Sequence, residues 1–297
     1  MRSLADLLAH PGPIVMGVLN VTPDSFSDGG DFASKEQAVD HAIQMVLDGA
    51  EIIDIGGEST RPAGSAYGAG ATPISANEEI ARVLPVIESL RSADDHILIS
   101  IDTQKSKAAK AAIAAGANIV NDVSAGTFDP HMFEIAAKYH ASIILMHGHG
   151  PNFRKAKIED YFYEDVVTEV RDYLAERIRA AREAGIETIL ADVGIGFAKS
   201  YQDNLKLLKN HETFTSLNVP LVLGVSRKST IGKAMGGNPP PKARMIGSIA
   251  AACYSVEHGA KIIRTHDVKE TREALSALSA ILEDEPLSLP RRGAGER

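Results

Sequence analysis

The sequence predicts a (β/α)₈ TIM barrel in a single domain, and three observations lead to it. Eight short apolar runs recur along the 297 residues, and each is followed by a polar or glycine-containing turn and a helix-like stretch. The runs are apolar almost throughout, which is typical of parallel strands covered on both faces. A (β/α)₈ barrel has eight strands, and the sequence gives no sign of the reversal of strand order that is typical of a doubly wound open sheet. A closed barrel is therefore favoured over an open sheet.

The predicted strands and helices can be assigned by residue number. The strands are residues 14–20, 51–57, 97–103, 118–124, 142–148, 188–194, 221–227 and 262–267. The clearest amphipathic helices are residues 35–48, 77–91, 161–184 and 269–282. Ser34 and Gln37 predict a capping box at the start of the first of these helices. Four glycines follow helical stretches and are predicted to end them: Gly49, Gly116, Gly185 and Gly259.

The barrel is predicted to occupy residues 1–283. No linker rich in Pro, Gly or Ser divides the chain, and its length lies within the usual range for one such barrel. Residues 284–297 are polar and rich in proline, so we predict a disordered C-terminal tail. Residues 238–241 are predicted to form a loop before the seventh barrel helix.

Composition excludes several classes of protein. The one cysteine, Cys253, allows neither an intrachain disulfide nor a Cys-rich zinc site, and fits a reducing compartment. The first eleven residues are too short and too polar for a signal peptide, and no stretch approaches the roughly 20 apolar residues of a membrane span. The net charge of −8 argues against a general nucleic-acid or membrane binder. We therefore expect a cytoplasmic protein that acts on small molecules.

Polar residues end all eight predicted strands, and the C-terminal ends of the strands are where active sites lie in such barrels. One polar residue in that place is usually a turn or capping residue. Eight positions on one rim are hard to explain by capping alone. They are Asn20, residues 58–61, Asp102, Asn121 with Asp122, His147, Asp192, Arg227 with Lys228, and Arg264 with His266.

The rim residues fall into two chemical groups. The first offers acceptors and an amide, which suit a flat heterocycle with an amino-pyrimidinone edge: Asp102, Asn121 and Asp192. The second offers donors and positive charge, which suit phosphate or carboxylate: Arg61, Arg227, Lys228, Arg264 and His266. Together they predict a site for a polar heterocycle that carries an anionic leaving group.

Several motifs resemble those of the dihydropteroate synthases. Residues 17–30 (GVLNVTPDSFSDGG) resemble the first signature of that family, and residues 54–62 (DIGGESTRP) resemble the second. Shorter matches follow in the family's order at residues 100–103 (SIDT), 121–122 (ND), 226–229 (SRKS) and 264–266 (RTH). The similarity runs from about Ile14 to about Leu282, so it covers nearly the whole predicted barrel.

The resemblance implies a reaction and a metal ion. In the family, 6-hydroxymethyl-7,8-dihydropterin pyrophosphate loses pyrophosphate and its methylene carbon is taken by p-aminobenzoate, which gives 7,8-dihydropteroate. Mg²⁺ helps to bind and neutralise the pyrophosphate, and Asn20 matches the residue that meets the metal. One amide oxygen is a weak anchor, so we expect magnesium to arrive with the substrate and to keep several waters.

The resemblance also implies roles for the other site residues. Pterin-binding residues are matched by Asp102, Asn121 and Asp192, with Met146 as an apolar contact. Pyrophosphate ligands are matched by Arg264 and His266. The p-aminobenzoate pocket is matched by Lys228, Ser229, an aromatic wall at Phe197, and two closing loops that contain Phe26, Asp28, Thr60, Arg61 and Pro62. The residues expected to act on the reacting atoms are Lys228, Asp102, Asp192 and Arg264.

Other polar residues near the rim are expected to be structural. Asp54 also matches a family position, but it lies mid-strand and is read as a structural residue that is hydrogen-bonded near the rim. Asp122 is read as a loop cap, Arg227 as a member of an ion pair, and Asp267 as the cap of the last helix. The pair His147 and His149, at i and i+2 without other ligands, is weak evidence for a metal site.

The sequence departs from the family pattern in three places. Val193 stands where the family has proline, and Ala198 stands where it has glycine. Gly148 follows His147, where the family usually has methionine. Residues 63–75 form an extra stretch rich in alanine and glycine. Sulfonamides mimic p-aminobenzoate in this family, so this stretch raises the hypothesis that Tyr67 or its neighbours reduce sulfonamide sensitivity. The alternative is that the stretch bulges into solvent and takes no part in binding.

Two other functions remain as alternatives. A methyltetrahydrofolate-binding domain of a corrinoid methyltransferase would need the acidic residues but no pyrophosphate site, and the SRKS and RTH motifs argue against it. A catalytically silent paralogue would only bind pterin or a partner, although every chemical position is occupied here. The sequence leaves the oligomeric state open, with a homodimer as one option.

Overall fold

The computed structural model describes residues 3–22, 30–58, 73–148 and 161–283, with side chains from residue 35 onward in the second range. Within these residues eight parallel strands close into a barrel in sequence order, which confirms the predicted fold. The strands are β1 Ile14–Asn20, β2 Ile52–Gly56, β3 Leu98–Asp102, β4 Ile119–Asp122, β5 Ser142–Met146, β6 Ile189–Asp192, β7 Leu221–Leu223 and β8 Ala260–Thr265.

Helices alternate with the strands and surround the barrel. They are α1 Leu4–Leu8, α2 Gly30–Leu47, α3 Ala76–Ala93, α4 Ser106–Ala114, α5 Met132–Lys138, α6 Val166–Glu183, α7 Tyr201–Lys209, α8 Ser229–Ala234, α9 Met245–Glu257 and α10 Val268–Glu283. Short 3-10 helices span His211–Leu217 and Pro241–Arg244. No helix among the described residues is both long enough and apolar enough to cross a membrane.

Alternate residues of each strand face two different apolar layers, as the period of two along a strand requires. One set, which includes Ile53, Ile101 and Ile143, packs against the surrounding helices. The other fills the barrel interior, where Leu4 and Leu7 of α1 join it from the N-terminal end. Helix α1 therefore closes the end of the barrel opposite the polar rim.

Two predicted helix starts are wrong. Helix α2 begins at Gly30, so Ser34 lies inside the helix and cannot be its N-cap. Helix α6 begins at Val166 rather than at residue 161, because Asp165 caps it by accepting from the Val167 amide at 3.2 Å. The four predicted helix-ending glycines are confirmed, since each adopts a positive φ of between 91° and 111°. Residues 284–297, the predicted tail, lie outside the described residues.

The strand register places the polar residues that end β1 and β3, and Asn121 of β4, at one level. Asn20 pairs with Gly56, Gly56 with Asp102, and Asp102 with Asn121. On the opposite side of the barrel the ladder is shorter. Strands β6 and β7 align over two residue pairs, against five between β1 and β2, and β7 has three residues.

Candidate active site

A network of two carboxylates, an amide and a guanidinium lies just below the rim between β2, β3, β4 and β8. Asp54 Oδ2 accepts from Arg264 Nε at 2.6 Å and from Asn121 Nδ2 at 3.0 Å. Arg264 Nη2 also donates to Asp102 Oδ2 at 2.9 Å. Burial alone would lower the pKa of Arg264, but the carboxylates of Asp54 and Asp102 outweigh burial and raise it. The arginine is therefore charged at every pH of interest, and Asp54 orients two predicted site residues.

Three residues predicted to act on the reacting atoms meet over Gly224, which follows β7. A Cβ placed on Gly224 would lie 3.7 Å from Asp192 Oδ2, 3.7 Å from Lys228 Nζ and 3.9 Å from Arg264 Cδ. The lack of a side chain at this position leaves space between a carboxylate and two cations. Strand ends that are far apart in sequence thus converge on one point of the rim.

A predicted pterin contact and the predicted p-aminobenzoate wall share a small apolar patch, which lies beside an ammonium group. Met146 packs with Val123 and Phe197 in a small apolar cluster. Lys228 Nζ lies 4.8 Å from the centroid of the Phe197 ring and donates to the Ile195 carbonyl at 2.5 Å. Burial, with a smaller contribution from the charge of Arg264, lowers the pKa of Lys228 to about 8 although Asp192 opposes the shift. The geometry presents an aromatic face beside a cation.

Two basic residues of the rim offer less positive charge to an anionic substrate than the sequence predicts, one because it is neutral and one because it is paired. Burial and the positive charges of Arg264 and Arg227 lower the pKa of His266 to about 3, so this imidazole is neutral at pH 7. Its Nδ1 lies 3.1 Å from Ser226 Oγ. The guanidinium of Arg227 donates twice to the carboxylate of Asp267, which confirms the ion-pair interpretation. His266, which the sequence analysis groups with the positively charged residues, is therefore not a cation.

The structural role expected for Asp122 agrees with its contacts. Asp122 accepts from the amides of Ser124 and Gly126 at 2.8 and 2.7 Å, so it caps the loop after β4. The buried ring of His147 packs edge-on against Tyr173, with ring centroids 4.8 Å apart. The described residues contain no group of three or more His, Cys, Asp and Glu side chains that could hold a metal ion. His149 lies outside the described residues.

Two buried basic residues near the site have no role predicted from the sequence. Lys199 Nζ donates to three backbone carbonyls, and Arg244 donates to the carbonyls of Pro239 and Arg227 at 2.8 and 2.9 Å. Arg244 therefore fixes the turn that precedes Lys228. A lysine in a glycine-rich turn and an arginine before a helix resemble ordinary surface residues, so only the path of the backbone shows that these two are buried.

A second ion-pair cluster lies where β2 meets the next helix. Lys105 Nζ donates to Glu79 Oε2 at 2.6 Å and also to Glu58 Oε2. Both carboxylates are buried. Glu58 was placed among the polar strand ends, but its contacts show that it is tied to the barrel wall beside α3 rather than facing the centre of the rim.

The oxygen atoms around Asn20 are suited to a hard metal ion. Asn20 Oδ1 and Asp102 Oδ2 each lie 3.8 Å from the position that a Cβ on Gly56 would occupy. Amide and carboxylate oxygens are the ligands that Mg²⁺ accepts, and so few protein oxygens leave most positions to water and substrate. The residues present thus fit a magnesium ion that comes with an anionic substrate.

Comparison with known proteins identifies the family. Residues 16–266 match the model of the family described as pterin binding enzyme. The dihydropteroate synthase of Streptococcus pyogenes serotype M6 is 44% identical over 270 residues, which are 90% of this chain and 95% of that protein. The chain belongs to the dihydropteroate synthases. This family resemblance, drawn from the motifs at the strand ends, is therefore confirmed.

Solved dihydropteroate synthase structures have the same fold. The Xanthomonas albilineans enzyme with 4-aminobenzoic acid superposes with a TM-score of 0.83 at 42% identity, over 92% of this chain and 94% of that one. The same enzyme in complex with 7,8-dihydropteroate gives a TM-score of 0.79 at 38% identity, with the same coverage.

Most of the predicted site residues of this dihydropteroate synthase fold lie on one rim. The described ones are Asn20, Asp102, Asn121, Met146, Asp192, Phe197, Lys228, Ser229, Arg264 and His266. Ser229 is the first residue of α8, directly after Lys228. The remaining predicted residues are Phe26, Asp28, Thr60, Arg61 and Pro62, and they lie outside the described residues.

Proposed function

We propose that the rim residues join 6-hydroxymethyl-7,8-dihydropterin pyrophosphate to p-aminobenzoate. One observation carries this assignment: Asp192, Lys228 and Arg264 meet around the space over Gly224. In the reaction the C–O bond to pyrophosphate breaks, the aniline nitrogen forms a C–N bond to the same methylene carbon, and that nitrogen loses a proton. The structures of relatives with 4-aminobenzoic acid and with 7,8-dihydropteroate support the choice of substrates.

On the pterin side, Asp102, Asn121 and Asp192 bind the amino-pyrimidinone edge. Carboxylate oxygens accept from the ring N–H groups and the exocyclic amine, and Asp54 orients Asn121 through the hydrogen bond at 3.0 Å. Met146 supplies an apolar contact for the ring. Positive charge that develops at the pterin methylene as pyrophosphate leaves is stabilised by the carboxylates of Asp102 and Asp192.

On the p-aminobenzoate side, Phe197 and Lys228 place the incoming amine. The ring of Phe197 forms one wall, and Lys228 lies between that wall and Asp192, so that it reaches both substrates. Ser229 follows at the start of α8 and contacts the carboxylate of p-aminobenzoate. In this proposal the pocket is completed by five residues that lie outside the described ranges: Phe26, Asp28, Thr60, Arg61 and Pro62.

At the leaving group, Arg264 and His266 bind pyrophosphate, and Asn20 would hold Mg²⁺. Arg264 contributes charge, while His266, being neutral, contributes a hydrogen bond. When bound, the magnesium ion would neutralise charge on the pyrophosphate oxygens. Chelator should abolish turnover and added Mg²⁺ should restore it, and the free protein should bind the ion weakly. Tight stoichiometric binding of Mg²⁺ by the free protein would contradict this part of the proposal.

The test of the whole proposal is pyrophosphate release measured with each substrate alone and with both. We expect release that depends on p-aminobenzoate and yields 7,8-dihydropteroate in equal amount. Binding of pterin pyrophosphate without turnover would instead support a catalytically silent paralogue.

We further propose that residues 63–75 lower sensitivity to sulfonamides. Ser75 caps α3, accepting from the Glu78 amide at 3.2 Å, whereas residues 63–72 lie outside the described ranges. Bulk near Tyr67 would clash with the part of a sulfonamide that extends past the p-aminobenzoate carboxylate. One unfavourable contact of about 1.4 kcal/mol changes the ratio of inhibitor to substrate affinity roughly tenfold.

The sulfonamide proposal is tested by comparing sulfamethoxazole inhibition with the p-aminobenzoate KM. A variant that lacks residues 65–70 removes the stretch, and Tyr67→Ala removes the bulk alone. An unchanged ratio in both variants would mean that the stretch lies in solvent and takes no part in discrimination.

We also propose that the enzyme is a cytoplasmic homodimer. Ile246 and Tyr254 lie eight positions apart on α9, hence on one side of it, with 73% and 42% of their surfaces exposed. An exposed apolar face of this kind suits a contact with a second copy. Sedimentation of the native protein and of Ile246→Glu tests it: a dimer that becomes a monomer is expected, and a native monomer would exclude it.

A further inference from the structure

The ammonium group of Lys199 is surrounded by backbone carbonyls. Its Nζ donates to the carbonyls of His147 at 3.0 Å, Gly194 at 3.1 Å and Phe197 at 3.0 Å. The residue is 2% exposed. An ammonium group has three N–H donors, so each donor has one acceptor here. A side chain that is not a predicted substrate ligand therefore joins the end of β5 to the turn that follows β6.

The turn held by Lys199 has an unusual backbone. Positive φ occurs at Gly194, Gly196 and Ala198, and Ala198 adopts a φ of 50° although it is not glycine. Tyr163 donates its hydroxyl to the Ala198 carbonyl at 2.9 Å. A non-glycine residue keeps such a conformation when the surrounding contacts determine it. The path of residues 193–198 thus depends on the groups that bind its carbonyls.

The same turn positions two groups of the p-aminobenzoate side. Phe197 is the aromatic wall, and the Ile195 carbonyl accepts from Lys228 Nζ at 2.5 Å. We propose that Lys199 is a positioning residue for p-aminobenzoate: by holding three carbonyls at one point, it fixes the turn that places Phe197 and Lys228. This inference rests on the proposed function and extends it to a residue that touches neither substrate.

The charge on Lys199 decides whether all three carbonyls are bound, because a neutral amine offers two N–H donors. Burial and, to a smaller extent, the charge of Lys228 lower the pKa of Lys199 to about 7, while Asp192 and Asp203 oppose the shift. Those three charged groups face the ammonium, and Tyr163 lies beside the turn. We therefore expect the p-aminobenzoate KM of the native enzyme to rise between about pH 6 and pH 7.5 as Lys199 loses its proton.

The experiment compares the native enzyme, Lys199→Met, Lys199→Arg and the matched control Lys209→Met, in which an exposed lysine of α7 loses the same charge. Steady-state kinetics are measured with each substrate varied in turn. In Lys199→Met the p-aminobenzoate KM should rise about tenfold, while the KM of the pterin pyrophosphate changes by less than about threefold. Lys199→Arg, which keeps charge and donors, should recover part of the p-aminobenzoate affinity, and Lys209→Met should match the native enzyme.

The pH profile separates a positioning role from a merely structural one. In Lys199→Met the rise in p-aminobenzoate KM between about pH 6 and pH 7.5 should disappear. Should this variant not fold by circular dichroism, Lys199→Gln, whose amide keeps two donors, takes its place with the same expectation. Equal changes in both KM values, or a retained pH step, would overturn the inference. A native enzyme without p-aminobenzoate-dependent turnover would overturn the proposed function instead.

Discussion

Arg264 donates to Asp102 Oδ2 at 2.9 Å, so a proposed pyrophosphate ligand is bound directly to a proposed pterin ligand. The same guanidinium contacts the fully buried carboxylate of Asp54 at 2.6 Å. Departure of the pyrophosphate and stabilisation of the pterin are thereby linked through one side chain. A change at Arg264 should affect both halves of the pterin pyrophosphate site.

Arg264→Met should destabilise the fold as well as slow the reaction. It removes the cation shared by two buried carboxylates, and breaking a buried pair in this way costs about 3–5 kcal/mol. Urea unfolding measures the loss, and pyrophosphate release measures the turnover. Arg264→Lys keeps one charge but not the forked geometry, so its unfolding free energy should lie between those of the other two proteins. Native stability in Arg264→Met would contradict the shared-cation account.

Asp102→Asn and Asp192→Asn should each weaken pterin pyrophosphate binding. An amide presents donors where the heterocycle needs acceptors, and the resulting loss is about 1–3 kcal/mol for one buried polar mismatch. Isothermal titration with the pterin pyrophosphate measures the Kd. Asp267→Asn changes a carboxylate on the same rim that binds Arg227 instead and serves as the control. An unchanged Kd in both variants would place the pterin pocket elsewhere on the rim.

Lys228→Ala should lower kcat by on the order of 10²-fold while the protein stays folded, as for removal of one preorganised electrostatic group. The reason is the position of Lys228 Nζ next to Asp192 and the Phe197 ring. Lys233→Ala, an exposed lysine of α8, is the matched control and should keep native turnover. Near-native kcat in Lys228→Ala would mean that this lysine has no role in the chemical step.

The kcat of the native enzyme at saturating substrates should fall as the pH rises through about 8. Burial lowers the pKa of Lys228 to about 8, so the ammonium is charged below that pH and neutral above it. Lys228→Arg keeps its charge over this range, so its smaller kcat should not show the decline. The comparison needs kcat against pH for the two proteins. The same decline in both would assign the titration to another group.

Lys105→Met should be strongly destabilising. Lys105 lies between the buried carboxylates of Glu58 and Glu79, and removing a buried charge from such a cluster costs about 3–5 kcal/mol. Lys107→Met, two residues on and exposed, gives the baseline for loss of a lysine at the surface. Unfolding in urea gives the free energies of unfolding of the native protein and of the two variants, and their differences test the prediction. A loss below about 1 kcal/mol would mean that water screens the cluster, as it does surface ion pairs.

The sequence predicts the rim well because parallel strands bring their C-terminal ends together wherever they lie along the chain. Asp102, Asp192 and Lys228 could be located in this way without knowledge of any contact. The role of Lys199 could not, since it depends on the path of a turn with positive φ at Gly194 and Ala198, and an apolar period does not encode that path. The neutral state of His266 likewise depends on burial beside two arginines. Ser34 was misplaced as a cap because the helix starts four residues earlier, at Gly30.

The short ladder between β6 and β7 has a mechanical consequence for the whole molecule. Two aligned pairs join these strands, and β7 also has a register shift against β8, so fewer interstrand hydrogen bonds resist separation here than between β1 and β2. The barrel strands therefore separate most easily between β6 and β7. Asp192 is the last residue of β6, and Lys228 follows β7. A substrate that contacts both Asp192 and Lys228 would therefore bridge the two neighbouring strands that share the fewest residue pairs. Its binding would stabilise the folded barrel as well as place the substrate for reaction.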